Sequence, residues 1–130
     1  MAPRVLVVED NPVNLELVGA LLESEGWSVI PAETADASLR LAAAERPDLI
    51  VMDVQLPGMS GYEATRRLKA DPATAGIPVV ALTAHAMRGE EARARDAGCN
   101  AFLTKPIDTK AFRETLRRFL ADVRGNEAIQ

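Results

Sequence analysis

A chain of 130 residues suffices for one domain with a core of its own and leaves little room for a second. With 48% apolar, 26% charged and 4% aromatic residues it has the make-up of a folded globular domain, which excludes disorder as its main state. A formal net charge of -4 argues against a nucleic-acid-binding surface, and no apolar run approaches the roughly 18 residues that a membrane span needs. Arg66-Arg67 and Arg117-Arg118 lie among acids in amphipathic patterns and read as solvated faces. The single cysteine, Cys99, can form no internal disulfide and fits no zinc spacing, so a small buried thiol in a reducing, cytoplasmic setting is expected.

In chain order, Arg4 to Glu9 reads as a strand whose unbroken apolar run suits cover on both faces. It ends in the acids Glu9 and Asp10. Asn11 then offers a helix cap, and Pro12 a first helical residue whose missing N–H costs nothing. Val13, Leu17, Val18, Leu21 and Leu22 recur at helical spacing and are expected to face inward until Gly26 ends the helix. Trp27 to Ala32 gives a second strand. Thr34 caps a helix with Ala35, Leu39, Leu41 and Ala42 inward, ending near Pro47, and Asp48 to Asp53 is the third strand. After Leu56-Pro57-Gly58, Ser60 and Glu63 stand in capping-box spacing at the start of a helix through Lys69, broken by Asp71-Pro72.

Ile77 to Thr83 is a fourth strand with a hydroxyl at its end. The next helix, about Met87 to Ala97, is predicted to be the weakest, since Gly89 costs it roughly 1 kcal/mol relative to alanine and its apolar residues are mostly alanines. Gly98 ends it, and Asn100 to Thr104 forms a fifth strand running into Lys105-Pro106. Asp108 caps a last helix with the apolar stripe Phe112, Leu116, Phe119, Leu120 and Val123. Residues 125–130 read as a disordered tail behind one domain over 1–124. Five strand-helix alternations predict an α/β fold, a doubly wound five-stranded parallel sheet with helices on both faces.

Ligands of such sheets bind at the carboxyl edge of the strands. That edge presents Glu9 and Asp10, then Asp53, Thr83 and Lys105. Each alone reads as an ordinary turn-former or cap. Together, three carboxylates and one ammonium leave about -2, a charge that a hard divalent cation neutralises, and oxygen-only ligands with spare waters describe a Mg²⁺ site. A phosphoryl group suits that setting, with Lys105 offsetting its charge and Thr83 donating a hydrogen bond. Asp53, central in the group, is the natural nucleophile, forming an aspartyl-phosphate.

Four ordered motifs lie at these strand ends: Val-Val-Glu-Asp-Asn at 7–11, Met-Asp-Val-Gln-Leu-Pro-Gly-Met-Ser-Gly at 52–61, Ala-Leu-Thr-Ala at 81–84 and Leu-Thr-Lys-Pro at 103–106. On them, and over nearly the whole chain, the sequence resembles the receiver domain of two-component response regulators. The resemblance implies a flavodoxin-like sheet of order 2-1-3-4-5 and a phosphorylation switch. Asp53 would accept phosphoryl from a phosphohistidine on a histidine kinase or phosphotransfer protein. Asp10, Asp53 and the backbone carbonyl of Gln55 would hold Mg²⁺, with Glu9 acting through a water. Thr83 would move toward the phosphoryl group, and Phe102 would rotate inward behind it. The face of the fourth helix, fifth strand and fifth helix would then change its affinity for a downstream protein. Gln55 and His85 match positions that tune dephosphorylation, and Lys105-Pro106 is cis in the family.

Two residues depart from the common pattern. Glu9 stands where many members have aspartate, and Phe102 replaces the commoner tyrosine, which leaves plain core as its alternative role. An aspartyl-nucleophile phosphatase would carry an acid where this chain has Gln55, and a flavin-binding fold a phosphate loop where Glu9-Asp10 would repel phosphate. Retention of all five groups argues against a binding module that is never phosphorylated. The opening Met1, the short tail and the lack of a linker favour a stand-alone receiver, monomer or weak dimer, over the receiver segment of a hybrid kinase. Within the family the wording after Asp53 and Thr83 is most similar to single-domain receivers, including those of cell-cycle and polarity control in α-proteobacteria.

Overall fold

Each strand is a run of four or five residues, and those of the inner three positions are almost wholly apolar. A computed structural model describes residues 2–84 and 88–129, with side chains up to Val123. The elements are β1 (Arg4–Val8), α1 (Pro12–Ser24), β2 (Ser28–Ala32), α2 (Ala35–Glu45), β3 (Leu49–Asp53), α3 (Gly61–Ala70), β4 (Val79–Thr83), α4 (Glu90–Ala97), β5 (Ala101–Thr104) and α5 (Thr109–Ile129). All neighbouring strands are parallel, in the order β2-β1-β3-β4-β5. Pro31 lies in β2, an edge strand, where its missing N–H leaves no inner ladder broken.

Alternation along the strands divides the core. Val5, Val7, Leu49, Val51, Val80 and Leu82 pack with Val18 and Leu22 of α1 and the stripe Phe112, Leu116, Phe119 and Leu120 of α5. On the other face, Leu6, Val8, Ile50, Met52 and Val79 meet Ala35 and Ala42 of α2 and Ala64 and Leu68 of α3. A smaller cluster, Val54, Tyr62 and Ala81, carries α4 through Ala94 and Ala97 alone. Burial of this kind contributes about 25 cal/mol per Å² of apolar surface, so α4 is held by far less than the other helices.

Three expectations need correction. Val13 and Leu17 do not face inward; they are 74% and 50% exposed, because at about 100° per residue Val13 stands opposite Leu22, and Leu15 takes the inward side instead. Ser60 Oγ accepts from the Glu63 N–H at 3.2 Å, but Glu63 does not complete a reciprocal box, since its carboxylate pairs with Arg66 and Arg67. Gly89 is not inside α4: it is the N-cap, with φ 92, a left-handed conformation natural to glycine. The last helix, α5, runs from Thr109 to Ile129.

The edge of the sheet away from the acids is tied by one lysine. Lys69 Nζ donates to Ala75 O at 3.2 Å, Ile77 O at 2.6 Å and Asn100 Oδ1 at 3.2 Å, and the same Oδ1 accepts from the Val79 N–H. At the other end, α3 begins directly against the third strand. A Cβ on Gly61 would stand 2.3 Å from Asp53 O and 2.7 Å from Val54 Cα, both backbone atoms. We therefore expect Gly61→Ala to lower folding stability by about 1–3 kcal/mol, the usual cost of overpacking, read as a drop in the urea midpoint at unchanged slope.

Candidate functional site

The acids are positioned by strand ends and one helix start. Beyond β1, the Glu9 N–H donates to Ala32 O at 2.9 Å, which continues the pairing with β2 and fixes the residue at the carboxyl edge. Asn11 caps α1, its Oδ1 accepting from Val13 N at 2.9 Å and Asn14 N at 3.2 Å. Glu9 Oε1 in turn accepts from Asn11 N at 3.4 Å and Asn14 Nδ2 at 3.5 Å, so the helix start supplies donors to a carboxylate that is only 2% exposed. Asp53 ends β3 opposite Leu82, is equally buried, and its Oδ1 accepts from the Gln55 N–H at 3.0 Å. Asp10 is exposed.

Lys105 joins the two buried acids. Its Nζ lies 3.0 Å from Glu9 Oε2 and 3.2 Å from Asp53 Oδ2. The Lys105 N–H donates to Thr83 O at 2.7 Å, and the Lys105-Pro106 bond is cis. Thr83 is buried at the end of β4, opposite Thr104. Burial pushes the Glu9 carboxyl above its ordinary range, with the Asp53 charge adding to this and Lys105 opposing it. Burial disfavours the charged form of Lys105, yet the hydrogen bond to Glu9 and the charges of Asp53 and Glu9 outweigh it and hold the ammonium above its ordinary pKa.

Glu9, Asp10 and Asp53 each offer a carboxylate oxygen, all within 4.8 Å of one another. An all-oxygen set with one exposed member fits a small hard cation that keeps part of its water. The side chain of Gln55 spans two loops, its Oε1 accepting from the Ala84 N–H at 3.2 Å just beyond Thr83. Phe102 is not gathered in. It is half-buried two residues before Thr104, against the cluster under α4, and it lines a groove of about 280 Å³ with Ala94, Arg95 and Arg118. His85 lies outside the described residues. The sequence reading missed Asn14, whose place in the first turn after an acid is the signal for it. It also missed the exposed pair Val13 and Leu17, which share a face of α1 one turn apart.

Comparison with known proteins agrees with this geometry. A family model for the response regulator receiver domain matches residues 5–117. The polar-differentiation response regulator DivK of Brucella anthropi is 45% identical over 122 residues, covering 94% of this chain and 99% of that one. Among solved structures, the receiver domain of a sensor histidine kinase from Pseudomonas aeruginosa PAO1, with a magnesium ion coordinated in its active site cleft, is 36% identical with a TM-score of 0.85, covering 93% of this chain and 99% of that one. The receiver domain of a signal transduction histidine kinase from Syntrophus aciditrophicus is 33% identical with a TM-score of 0.86, covering 94% and 92%.

Removing the shared ammonium leaves two buried carboxylates facing each other. Lys105→Met is expected to cost about 3 kcal/mol of folding stability in metal-free buffer, part of it regained on adding Mg²⁺, as urea unfolding with and without the ion will read. Because the folded pKa of Lys105 is raised above 10.5, its contribution is complete below that pH and is lost only as pH climbs through the folded value. The deficit of the variant should therefore close in alkali, and it should also shrink in acid, where protonation of the raised Glu9 carboxyl removes one of the two facing charges.

Proposed function

Because the chain belongs to the response regulator receiver family, we propose that Asp53 is its phosphoacceptor, charged by a phosphohistidine on a histidine kinase or phosphotransfer protein. The observation that carries this reading is the buried Asp53 carboxylate, with one oxygen on Lys105 and two further acids beside it at the carboxyl edge of the sheet. Family membership makes the chain a signalling protein rather than a metabolic enzyme. On our reading the only reactions it assists are its own phosphotransfer and dephosphorylation.

In the transfer, an Asp53 oxygen bonds to phosphorus as the bond from phosphorus to the donor imidazole breaks. Lys105 stays in place against the new phosphoryl oxygens, and Thr83 donates to one of them. Asp10, Asp53 and the carbonyl of Gln55 would hold Mg²⁺, with Glu9 acting through a water. The ion, when bound, adds positive charge against the transferring group. The side chain of Gln55, with His85, sets the rate at which water removes the phosphoryl group.

The exposed Val13 and Leu17 lie on the helix that starts beside the acids, and we assign them to the contact with the phosphohistidine donor. Output runs through α4, β5 and α5, with Phe102 as the moving ring, to a downstream protein. Among the described residues no helix is long and apolar enough to cross a membrane. The reading has the receiver, residues 1–124, act in the cytoplasm as a monomer or weak dimer, without nucleic acid.

Acetyl phosphate with Mg²⁺ should add one phosphoryl mass to the protein and none to Asp53→Asn; an equal gain in that variant would overturn the assignment. For the donor contact, Leu17→Glu should slow transfer from a phosphohistidine protein roughly tenfold, the effect of losing a buried apolar anchor. Its uptake from acetyl phosphate, measured in parallel, should fall much less.

A further inference from the structure

One contact between helices is out of keeping with the rest of the small cluster under α4. Tyr62 is 4% exposed, and its hydroxyl donates to Glu90 Oε2, at the first residue of α4 and 28 positions away. The same hydroxyl lies 3.5 Å from Glu90 O. Arg93, one turn on, pairs with Glu90 Oε1 at 3.3 Å, and its guanidinium carbon stands 4.9 Å from the centroid of the Tyr62 ring. The Glu90 side chain is only 15% exposed, so its bond with the Tyr62 hydroxyl is shielded from water, whereas the Arg93 side chain that covers it is itself 63% exposed. Burial, together with the hydrogen bond and charge of Glu90, pushes the Tyr62 pKa well up, which keeps the hydroxyl a donor at any ordinary pH.

Both ends of this clasp lie on elements that follow the site residues Asp53 and Thr83. Tyr62 follows Gly61, which is packed on the carbonyl of Asp53 so closely that a Cβ has no room, and whose N–H donates to Val54 O at 3.2 Å. Glu90 opens the helix that follows β4 and Thr83, and its N-cap Gly89 gives no side-chain hydrogen bond. Two alanines are the buried apolar anchors of α4. Among the described residues the clasp is therefore the main polar hold on the N-terminal end of α4, and it starts one residue from the backbone contact with Asp53.

We propose that Tyr62 is a positioning residue that holds the N-terminal end of α4 in the unphosphorylated protein and so links the state of Asp53 to the placement of α4. This rests on Asp53 as phosphoacceptor. Any displacement of Glu90 on phosphorylation has to break this contact, because Gly61 fixes α3 on β3 and the tyrosine cannot follow. By linkage, whatever weakens the clasp must favour occupation of Asp53.

The test uses Tyr62→Phe, which keeps the ring in the core and removes only the hydroxyl. Amide hydrogen exchange over residues 91–97 should quicken roughly tenfold in the unphosphorylated variant, the effect of losing one charge-assisted hydrogen bond. Beryllofluoride with Mg²⁺, a phosphoryl mimic, should bind Tyr62→Phe several-fold more tightly than the parent. Glu90→Gln, which keeps an acceptor for the hydroxyl but loses the charge facing Arg93, should fall between the two. Exchange equal to the parent's would overturn the clasp. Faster exchange with unchanged beryllofluoride affinity would overturn the link and leave Tyr62 a packing residue. A parent that binds no beryllofluoride would instead count against Asp53 as acceptor, and the link would fall with it.

Discussion

The ammonium of Lys105, between Glu9 Oε2 and Asp53 Oδ2, is the constraint on which the rest of the architecture depends. Two carboxylates buried side by side cost several kcal/mol each unless an opposite charge reaches both. Strands are about 4.8 Å apart, so the ends of β3 and β5 are separated by roughly 10 Å, with the end of β4 between them. Only a long, flexible, compact cation spans that gap. A shorter side chain fails to reach, and a planar guanidinium is harder to seat between two acids that lie on different strands. The order of the strands and the identity of residue 105 thus answer the same electrostatic problem.

Much of this is legible in the amino-acid sequence alone. The strands announce themselves because a sheet covered on both faces tolerates no polar interruption, so their ends are marked by the first charged or hydroxyl residue. Glu9, Asp53, Thr83 and Lys105 each sit at or next to such an end, and a parallel sheet brings all of those ends to one edge. The site is then a product of topology, which explains how residues nearly a hundred positions apart could be assigned to one cluster.

What escaped was set by choices that local pattern leaves open. The first helix carries apolar residues on nearly every side, so periodicity alone cannot say whether Val13 or Leu15 faces the core; the packing of α5 against it decides. Gly89 looked like a weak interior residue because a glycine reads alike inside a helix and at its start, and only the left-handed backbone tells them apart. The partners Tyr62 and Glu90, or Gln55 and Ala84, meet across separate elements with no spacing rule to predict them. Glu63, in turn, shows that a capping-box spacing is overruled when two arginines within a turn compete for the same carboxylate.

The lysine at the far edge of the sheet bears on how α4 can move. Lys69 binds Asn100 and the loop before β4, while a Cβ on Gly98 would meet Lys69 Cγ at 2.7 Å, so the chain leaving α4 is pressed against α3. Its left-handed turn is closed by the Gly98 and Cys99 N–H groups, which donate to Arg95 O and Ala94 O. The helix is thereby riveted by its backbone at the C-terminal end, while its N-terminal end is held by the Tyr62–Glu90 clasp. Once that clasp is released, the motion left to the helix is a swing about the Gly98 pivot, widest at Glu90, which turns a small displacement beside the acids into a tilt of the whole outer face.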